Sequence, residues 1–197
     1  MKSLDKIISL FRKFPGVGPK QAERFAMHVL KSDLNDMEEL AKTLREVKDT
    51  IKQCRRCYNF SDKELCSICS NTLRNQTLIC VVEQPQDINA IEKAKIFDGV
   101  YHVLHGAISP LKGRNFSSIK IKELVERIEI SPDGVSEIII ATNPDADGET
   151  TAMYLKQILQ KYVPKITRIA YGVPFGGDID YMDEMTLGYA MRGRTKV

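Results

Sequence analysis

The sequence is poor in histidine: His28, His102 and His105 are the only three in 197 residues. A chemistry built on imidazole bases therefore has few candidates. No Gly-x-x-x-x-Gly-Lys-Ser/Thr phosphate loop occurs, which argues against an ATPase of that class. No stretch of eighteen apolar residues occurs, and no signal-type apolar run opens the sequence. The expectation is a soluble, cytoplasmic protein with no membrane partner. Internal repeats and low-complexity segments are absent too, which leaves ordinary domains. Cysteine is scarce, at five residues, but it is not scattered as disulfide partners would be.

What is present supports a folded core. Apolar residues make up 43% of the chain, so wholesale disorder is excluded. The net charge of +3 is unevenly shared. Residues 1–76 carry 15 Lys+Arg against 10 Asp+Glu, a net of +5, and residues 77–197 carry 14 against 16, a net of −2. The basic half is a mild pointer to a polyanion.

Three segments follow from periodicity. In residues 1–53, Leu4, Ile7, Ile8 and Phe11 recur at helical spacing, as do Ala22, Phe25, Ala26 and Val29, then Leu40, Leu44, Val47 and Ile51. Residues 54–76 hold the cysteine cluster and little else apolar, so they need a staple to fold. From Thr77, "TLICVVE", "GVYHVL", "EIIIAT" and "ITRIAYG" read as strands. The stretches "PQDINAIEKAK", "IKIKELVERI" and "TTAMYLKQILQKY" between them read as helices. That alternation predicts a mainly parallel sheet covered on both faces. The tail "GGDIDYMDEMTLGYAMRGRTKV", residues 176–197, reads as a turn, a short helix and a basic end.

Between the first two helices, "FPGVGPK" places Gly16 and Gly18 just before a helix start. Glycine lets a phosphate approach the main chain, and the free N–H groups of the helix start then face it. Lys20 and Arg24 are four apart and share a face. Gly16, Gly18, Lys20 and Arg24 are thus candidate DNA contacts, gripping backbone rather than reading bases. A plain packing corner between two helices is the alternative.

Cys54 and Cys57 form one Cys-x-x-Cys pair and Cys66 and Cys69 another. Four thiolates complete a tetrahedral, closed, structural Zn²⁺ shell. An iron–sulfur cluster or a redox dithiol pair are the competing readings. Arg55 and Arg56 either offset thiolate charge or sit in a solvated turn. The fifth cysteine, Cys80, falls within a strand and reads as a small core residue.

Ligands of an open parallel sheet gather beyond its carboxyl strand ends. Glu83 closes the first strand, and Asn143, Asp145, Asp147 and Glu149 follow the third in "NPDADGE". If those strands are neighbours, the acids converge and could hold Mg²⁺. Alternatively the acidic loop simply caps the next helix.

Taken together, "FPGVGPKQAERFAMHVL", "CRRC…CSIC", "ICVVEQPQDINAIE", "YHVLHGAISPLKG", "EIIIATNPDADGETTAMYL" and "RIAYGVPFGGDIDYMDEMTLGYAMRGR" resemble the bacterial recombination mediators of the RecR family across essentially the whole chain. The resemblance implies a helix-hairpin-helix region at 1–53, a four-cysteine zinc finger at 54–76, a Toprim domain at 77–171 and a C-terminal segment at 172–197 likened to a Walker B element, and we expect the zinc knuckle to brace the junction of helices and sheet. It also implies RecF and RecO as partners in gap repair, and homo-oligomeric assembly, as a dimer or tetrameric ring, around DNA near the nucleoid.

Toprim topoisomerases carry Asp-Pro-Asp-x-Glu-Gly-Glu where this chain has "NPDADGE", so Asn143 replaces a leading acid. The amide removes a negative charge and weakens Mg²⁺ binding. Such enzymes also need a tyrosine nucleophile on a further domain, for which this chain has no room. The expectation is a non-enzymatic DNA-repair protein whose Glu83, Asp145, Asp147 and Glu149 serve a partner interface or assembly. The alternative is a Mg²⁺-dependent Toprim nuclease or strand-transfer enzyme. A nucleotide switch through Asp178 and Asp180 is disfavoured, those acids reading as surface-turn caps. His102 and His105 are expected to be structural or nucleic-acid contacts. The family usually shows Gly where His105 stands, and "KGRNFSS" departs from its usual glycine-rich continuation.

Overall fold

Three amphipathic helices make up the first unit, Met1–Ile51, of a computed structural model that describes residues 1–195; the second unit is Lys52–Val197. The helices are α1 (Lys2–Phe11), α2 (Pro19–Lys31) and α3 (Leu34–Thr50). They match the three apolar periods. Pro19 opens α2 at its first position, where a missing N–H costs nothing. Asp33 caps α3 by accepting from the Asn35 N–H at 2.8 Å. Phe11 and Phe25 meet edge to face across α1 and α2, with centroids 5.6 Å apart. The burial within this unit is thin: among its residues only Ala22 and Ala26 are fully covered.

The second unit begins with a small hairpin, β1 (Lys52–Gln53) and β2 (Phe60–Ser61), which carries the first cysteine pair. Then come β3 (Asn75–Val82), α4 (Pro85–Lys93), β4 (Gly99–Val103), α5 (Ile121–Glu129), β5 (Glu137–Ala141), α6 (Ala146–Leu159), β6 (Ile166–Arg168) and α7 (Glu184–Arg192). Strands β3 to β6 form one all-parallel sheet in the order β4-β3-β5-β6. That is the α/β sheet expected from the alternation of periods. Strand alternation sends Ile79, Val81, Ile138 and Ile140 to one face, where Leu124, Ile128, Leu155 and Leu159 of α5 and α6 cover them. Cys80, Val82, Tyr101 and Val103 face the other way, against Ile88 of α4. Cys80 is a buried core residue, its thiol pushed up to about 12 by burial.

One boundary differs from expectation. The helix after β5 begins at Ala146, not at Thr150, because Asp145 is its N-cap: its carboxylate accepts from the Gly148 N–H at 2.7 Å. Asp147 and Glu149 therefore ride on the first helical turn rather than in a loop. The expected basic end extends to Val197, and its last two residues lie outside the described ones.

Candidate functional site

The hairpin between α1 and α2 has the backbone that its glycines predict. Gly16 sits at φ +77°, where a side chain would be strained, and a Cβ there would meet nothing within 4 Å. Gly18 is the N-cap of α2 and offers no side chain to its first N–H groups. The helix start is thus an open row of donors with a positive dipole end. Lys20 and Arg24 are exposed on the same helix, and among the described residues neither is in an ion pair.

The four cysteines do converge. Their sulfurs all lie within 4.8 Å of one another, and all four residues are buried. Tetrahedral zinc with Zn–S bonds of about 2.3 Å needs sulfurs about 3.8 Å apart, so the donor set fits that ion. The Cys57 and Cys66 sulfurs stand 3.5 Å apart, far beyond a disulfide bond. The Cys66 N–H donates to the Cys54 sulfur at 3.3 Å, a contact that stabilises a thiolate. Arg56 closes the knuckle by donating to the Cys69 carbonyl at 3.2 Å. So small a cluster has little apolar content of its own, and a bound ion would supply its folding energy.

The knuckle is joined to the sheet along its β4 edge. The Val103 N–H donates to the Cys57 carbonyl at 2.8 Å. His105 Nε2 donates to the Tyr58 carbonyl at 2.7 Å. His102 packs edge-on against the Tyr58 ring and donates from Nε2 to the Lys120 carbonyl at 2.7 Å. Burial pulls the His102 pKa down to about 3, so its ring is neutral. Both histidines are structural in this geometry. An edge strand with open hydrogen-bonding groups is a liability, and the knuckle covers this one.

The acids of the sheet behave otherwise. Strands β3 and β5 are neighbours, with Val82 beside Ala141, so Glu83 does reach the segment after β5. There Asn143 holds it at both oxygens: the backbone N–H and the side-chain amide each donate at 2.9 Å. Burial pushes the Glu83 carboxyl above its ordinary range, and these two donors pull the other way. An aspartate at 143 would set carboxylate against carboxylate. Gly148 packs so closely that a Cβ would lie 2.1 Å from the Asn143 carbonyl and 2.9 Å from a Glu83 oxygen. Asp145 is committed to its helix cap.

Asp147 turns to Lys112 at 2.9 Å and Arg114 at 4.0 Å; Lys112 and the Ser109 hydroxyl hold its carboxyl below the usual range. Glu149 turns to Arg168 at 2.7 Å. That guanidinium also donates to Thr142 at 3.3 Å and stacks on Tyr171. The expected convergence is therefore partial: Glu83 meets Asn143, while Asp147 and Glu149 diverge to separate cations.

Comparison with known proteins gives four family matches in chain order: the RecR helix-hairpin-helix over residues 4–48, the RecR four-cysteine zinc finger domain over 51–71, the Toprim domain over 77–170 and the RecR C-terminal segment over 172–195. Two relatives called Recombination protein RecR, from Clostridium perfringens strains ATCC 13124 and 13, are each 48% identical over 195 residues, covering 99% of this chain and 97% of theirs. The chain belongs to the RecR family. Its four cysteines are the RecR zinc finger, and zinc is the ion that their geometry fits.

His105 has φ +59°, the left-handed region that glycine enters without strain. The bond from its ring to Tyr58 offsets part of that cost. Lys112 and Arg168, the cations that engage the acids, escaped the sequence reading. They lie 35 and 19 residues from Asp147 and Glu149 in sequence, and no local spacing links them. Arginine at the end of the last strand, beyond which ligands gather, was the available signal for Arg168. For the described residues, no helix is long and apolar enough to cross a membrane.

Proposed function

We propose that this chain is a non-catalytic, DNA-binding protein of recombinational repair, working in the cytoplasm with RecF and RecO. In this reading it closes as a ring-shaped homo-oligomer on DNA near the nucleoid and helps load recombinase at gaps. The observation that carries DNA binding is the open start of α2: a glycine cap leaves its first N–H groups free, with Lys20 and Arg24 unpaired beside them. Gly16, Gly18, Lys20 and Arg24 then contact phosphates without sequence preference. Assembly is supported by the first unit. Along α3 and its cap, Leu40, Leu44, Val47 and Ile51 repeat at helical spacing yet stay 38–57% exposed, an apolar stripe suited to a second copy. The relatives at 48% identity are called Recombination protein RecR, which supports the role in recombinational repair.

The acid cluster supports a non-enzymatic reading. Asn143 occupies both oxygens of Glu83, and the other three acids each hold an internal partner. Glu83, Asp145, Asp147 and Glu149 then act as a scaffold and a partner-facing acidic surface, with no resident Mg²⁺.

The test has two arms. Lys20→Glu with Arg24→Glu should abolish retention on gapped DNA at low salt while the melting temperature holds; unchanged affinity rules out the assigned interface. Supercoiled DNA incubated with Mg²⁺ or Mn²⁺ should stay intact; nicking that is lost in Asp145→Ala would establish the nuclease instead. Mass in solution with and without circular DNA reads the ring directly.

A further inference from the structure

Between β4 and α5, a long loop leaves large apolar side chains in solvent. Leu111 is fully exposed and Phe116 is 57% exposed. The segment is also of one sign. From Gly99 to Lys122 it carries Lys112, Arg114, Lys120 and Lys122 and no Asp or Glu. Lys120 and Lys122 are answered by Glu123 and Glu126 of α5, which leaves Lys112 and Arg114 as the cations of the loop itself. An exposed aromatic ring among cations suits a ligand that is flat and apolar in one part and anionic in the next.

Phe116 is held in place rather than left loose. It opens a single 3₁₀ turn, Phe116–Ser118, capped by Asn115: the Asn115 Oδ1 accepts from the Ser117 N–H at 3.1 Å and from the Ser117 hydroxyl at 2.6 Å. The Phe116 ring lies on the ring of Tyr154 of α6, with centroids 5.7 Å apart and planes 19° from parallel. Tyr154 in turn packs against the main core of the sheet. Phe116 is therefore an aromatic face in solvent, backed by a second ring that the core fixes.

The stacked pair lines two cavities of different character. One, against α5, is about 610 Å³ and has Glu123, Glu126 and Glu129 in its wall, which suits no polyanion. The other, against the loop, is about 400 Å³; Arg114, Asn115 and Thr150 join the two rings there, with no acid among the described residues of its wall. Arg114 is 42% exposed at its side chain, and its neighbour Asp147, at 4.0 Å, is already engaged by Lys112 at 2.9 Å. Gly113, at φ +68°, would have nothing within 4 Å of a Cβ, so the main chain beside Arg114 is open to a phosphate. Aromatic faces that take bases, beside cations that take the backbone, are the parts of a single-strand binding site. A duplex keeps its bases stacked on one another and offers no free face.

We propose that Phe116, backed by Tyr154, is a stacking platform for a base of single-stranded DNA, with Arg114 and Lys112 on the adjoining phosphates. This rests on the DNA-binding reading above and adds a contact of another kind. The start of α2 grips phosphates of any strand, whereas Phe116 needs an unstacked base. The second contact therefore distinguishes the single strand of a gap from the duplex that flanks it.

The experiment uses the full chain with three probes: a short oligo-dT strand, an abasic strand of the same length, and a duplex of matched length. The chain has no tryptophan, so Phe116→Trp sets one reporter at the platform. Its emission should be quenched by oligo-dT and not by the abasic strand. Phe116→Ala should bind oligo-dT about fivefold to a hundredfold more weakly, the range for one lost base stack, with abasic and duplex affinities unchanged. Phe116→Leu, which keeps apolar bulk without an aromatic face, should lose as much, and Phe116→Trp should bind as the wild type does. Arg114→Gln should weaken oligo-dT and the abasic strand alike. The quench should persist in Lys20→Glu with Arg24→Glu, so failure of the α2 interface and failure of the platform are read separately. A tryptophan that is unquenched, or quenched equally by the abasic strand, overturns the proposal. So does wild-type oligo-dT affinity in Phe116→Ala, and so does full recovery in Phe116→Leu, which would mark an apolar docking groove for a protein instead.

Discussion

The knuckle and the acid loop each offer four ligand-type side chains at regular spacing, and the fold treats them in opposite ways. The cysteine sulfurs share one point, within 4.8 Å of one another, with no cation among their direct hydrogen-bond partners. The carboxylates of Glu83, Asp145, Asp147 and Glu149 are each answered locally: by an amide, a helix N–H, a lysine and an arginine. Spacing nominates ligands, but convergence with unmet charge is what makes a metal centre. A carboxylate that already has a cation gains little from Mg²⁺, which must also give up tightly held water.

The largest effect should come from breaking the convergent cluster. Cys57→Ser removes one ligand and, through Val103, loosens the cover on β4. Binding of structural zinc is worth on the order of 10 kcal/mol to small zinc domains, so the knuckle should unfold. Loss of stoichiometric zinc, and amide exchange opening at Val103, check this. By contrast, a chelator that strips zinc should leave hydrogen-exchange protection at Asn143 unchanged, if the acid segment needs no metal. A smaller loss is expected from Gly148→Ala, which drives a methyl group into the Asn143 carbonyl and against Glu83. Overpacking of this kind costs about 1–3 kcal/mol, measurable by denaturant midpoint. A neutral result would mean that α6 can shift away at no cost.

Much of this contrast was legible in the sequence, and the rest was illegible for physical reasons. The sheet followed from alternating periods, and the knuckle from two Cys-x-x-Cys pairs, because both signals are local. Asp145 was harder: aspartate followed by Ala-Asp-Gly-Glu suits a loop and a helix cap alike, and only the Gly148 bond separates them. Asn143 stood out as a missing charge, but its positive role as a double donor to Glu83 depends on β3 lying beside β5.

The sharpest test of the comparison tries to turn the acid segment into the other kind of site. Asn143→Asp replaces the two-point donor with a carboxylate facing Glu83, and keeps only the backbone N–H. Glu83 is already held above the ordinary carboxylate range, chiefly by burial. A carboxyl with a raised folded pKa contributes stability that is complete below its unfolded pKa and disappears as pH rises through the folded value. A second acid should raise that folded pKa further. The variant should therefore match the wild type in mild acid and fall below it by about 1–3 kcal/mol at neutral pH, the usual cost of an unpartnered buried group. Millimolar Mg²⁺ should recover part of the deficit in the variant and do nothing for the wild type. Equal Mg²⁺ stabilisation of both proteins would show that Asn143 does not keep the metal out, and the acids would then have to be counted as a working cation site.

The smallest effect belongs to Lys112. Its pair with Asp147 is largely solvent-exposed, and exposed ion pairs contribute little. Lys112→Ala should therefore leave the melting temperature within error of the wild type. What should change is the titration of Asp147, whose carboxyl loses its main source of depression and moves back up toward the ordinary aspartate range. Carboxyl-carbon NMR across the acid range reads this directly. An unmoved Asp147 would mean that Arg114 or Ser109 holds it, and that the divergence of the acid cluster rests on more than one cation.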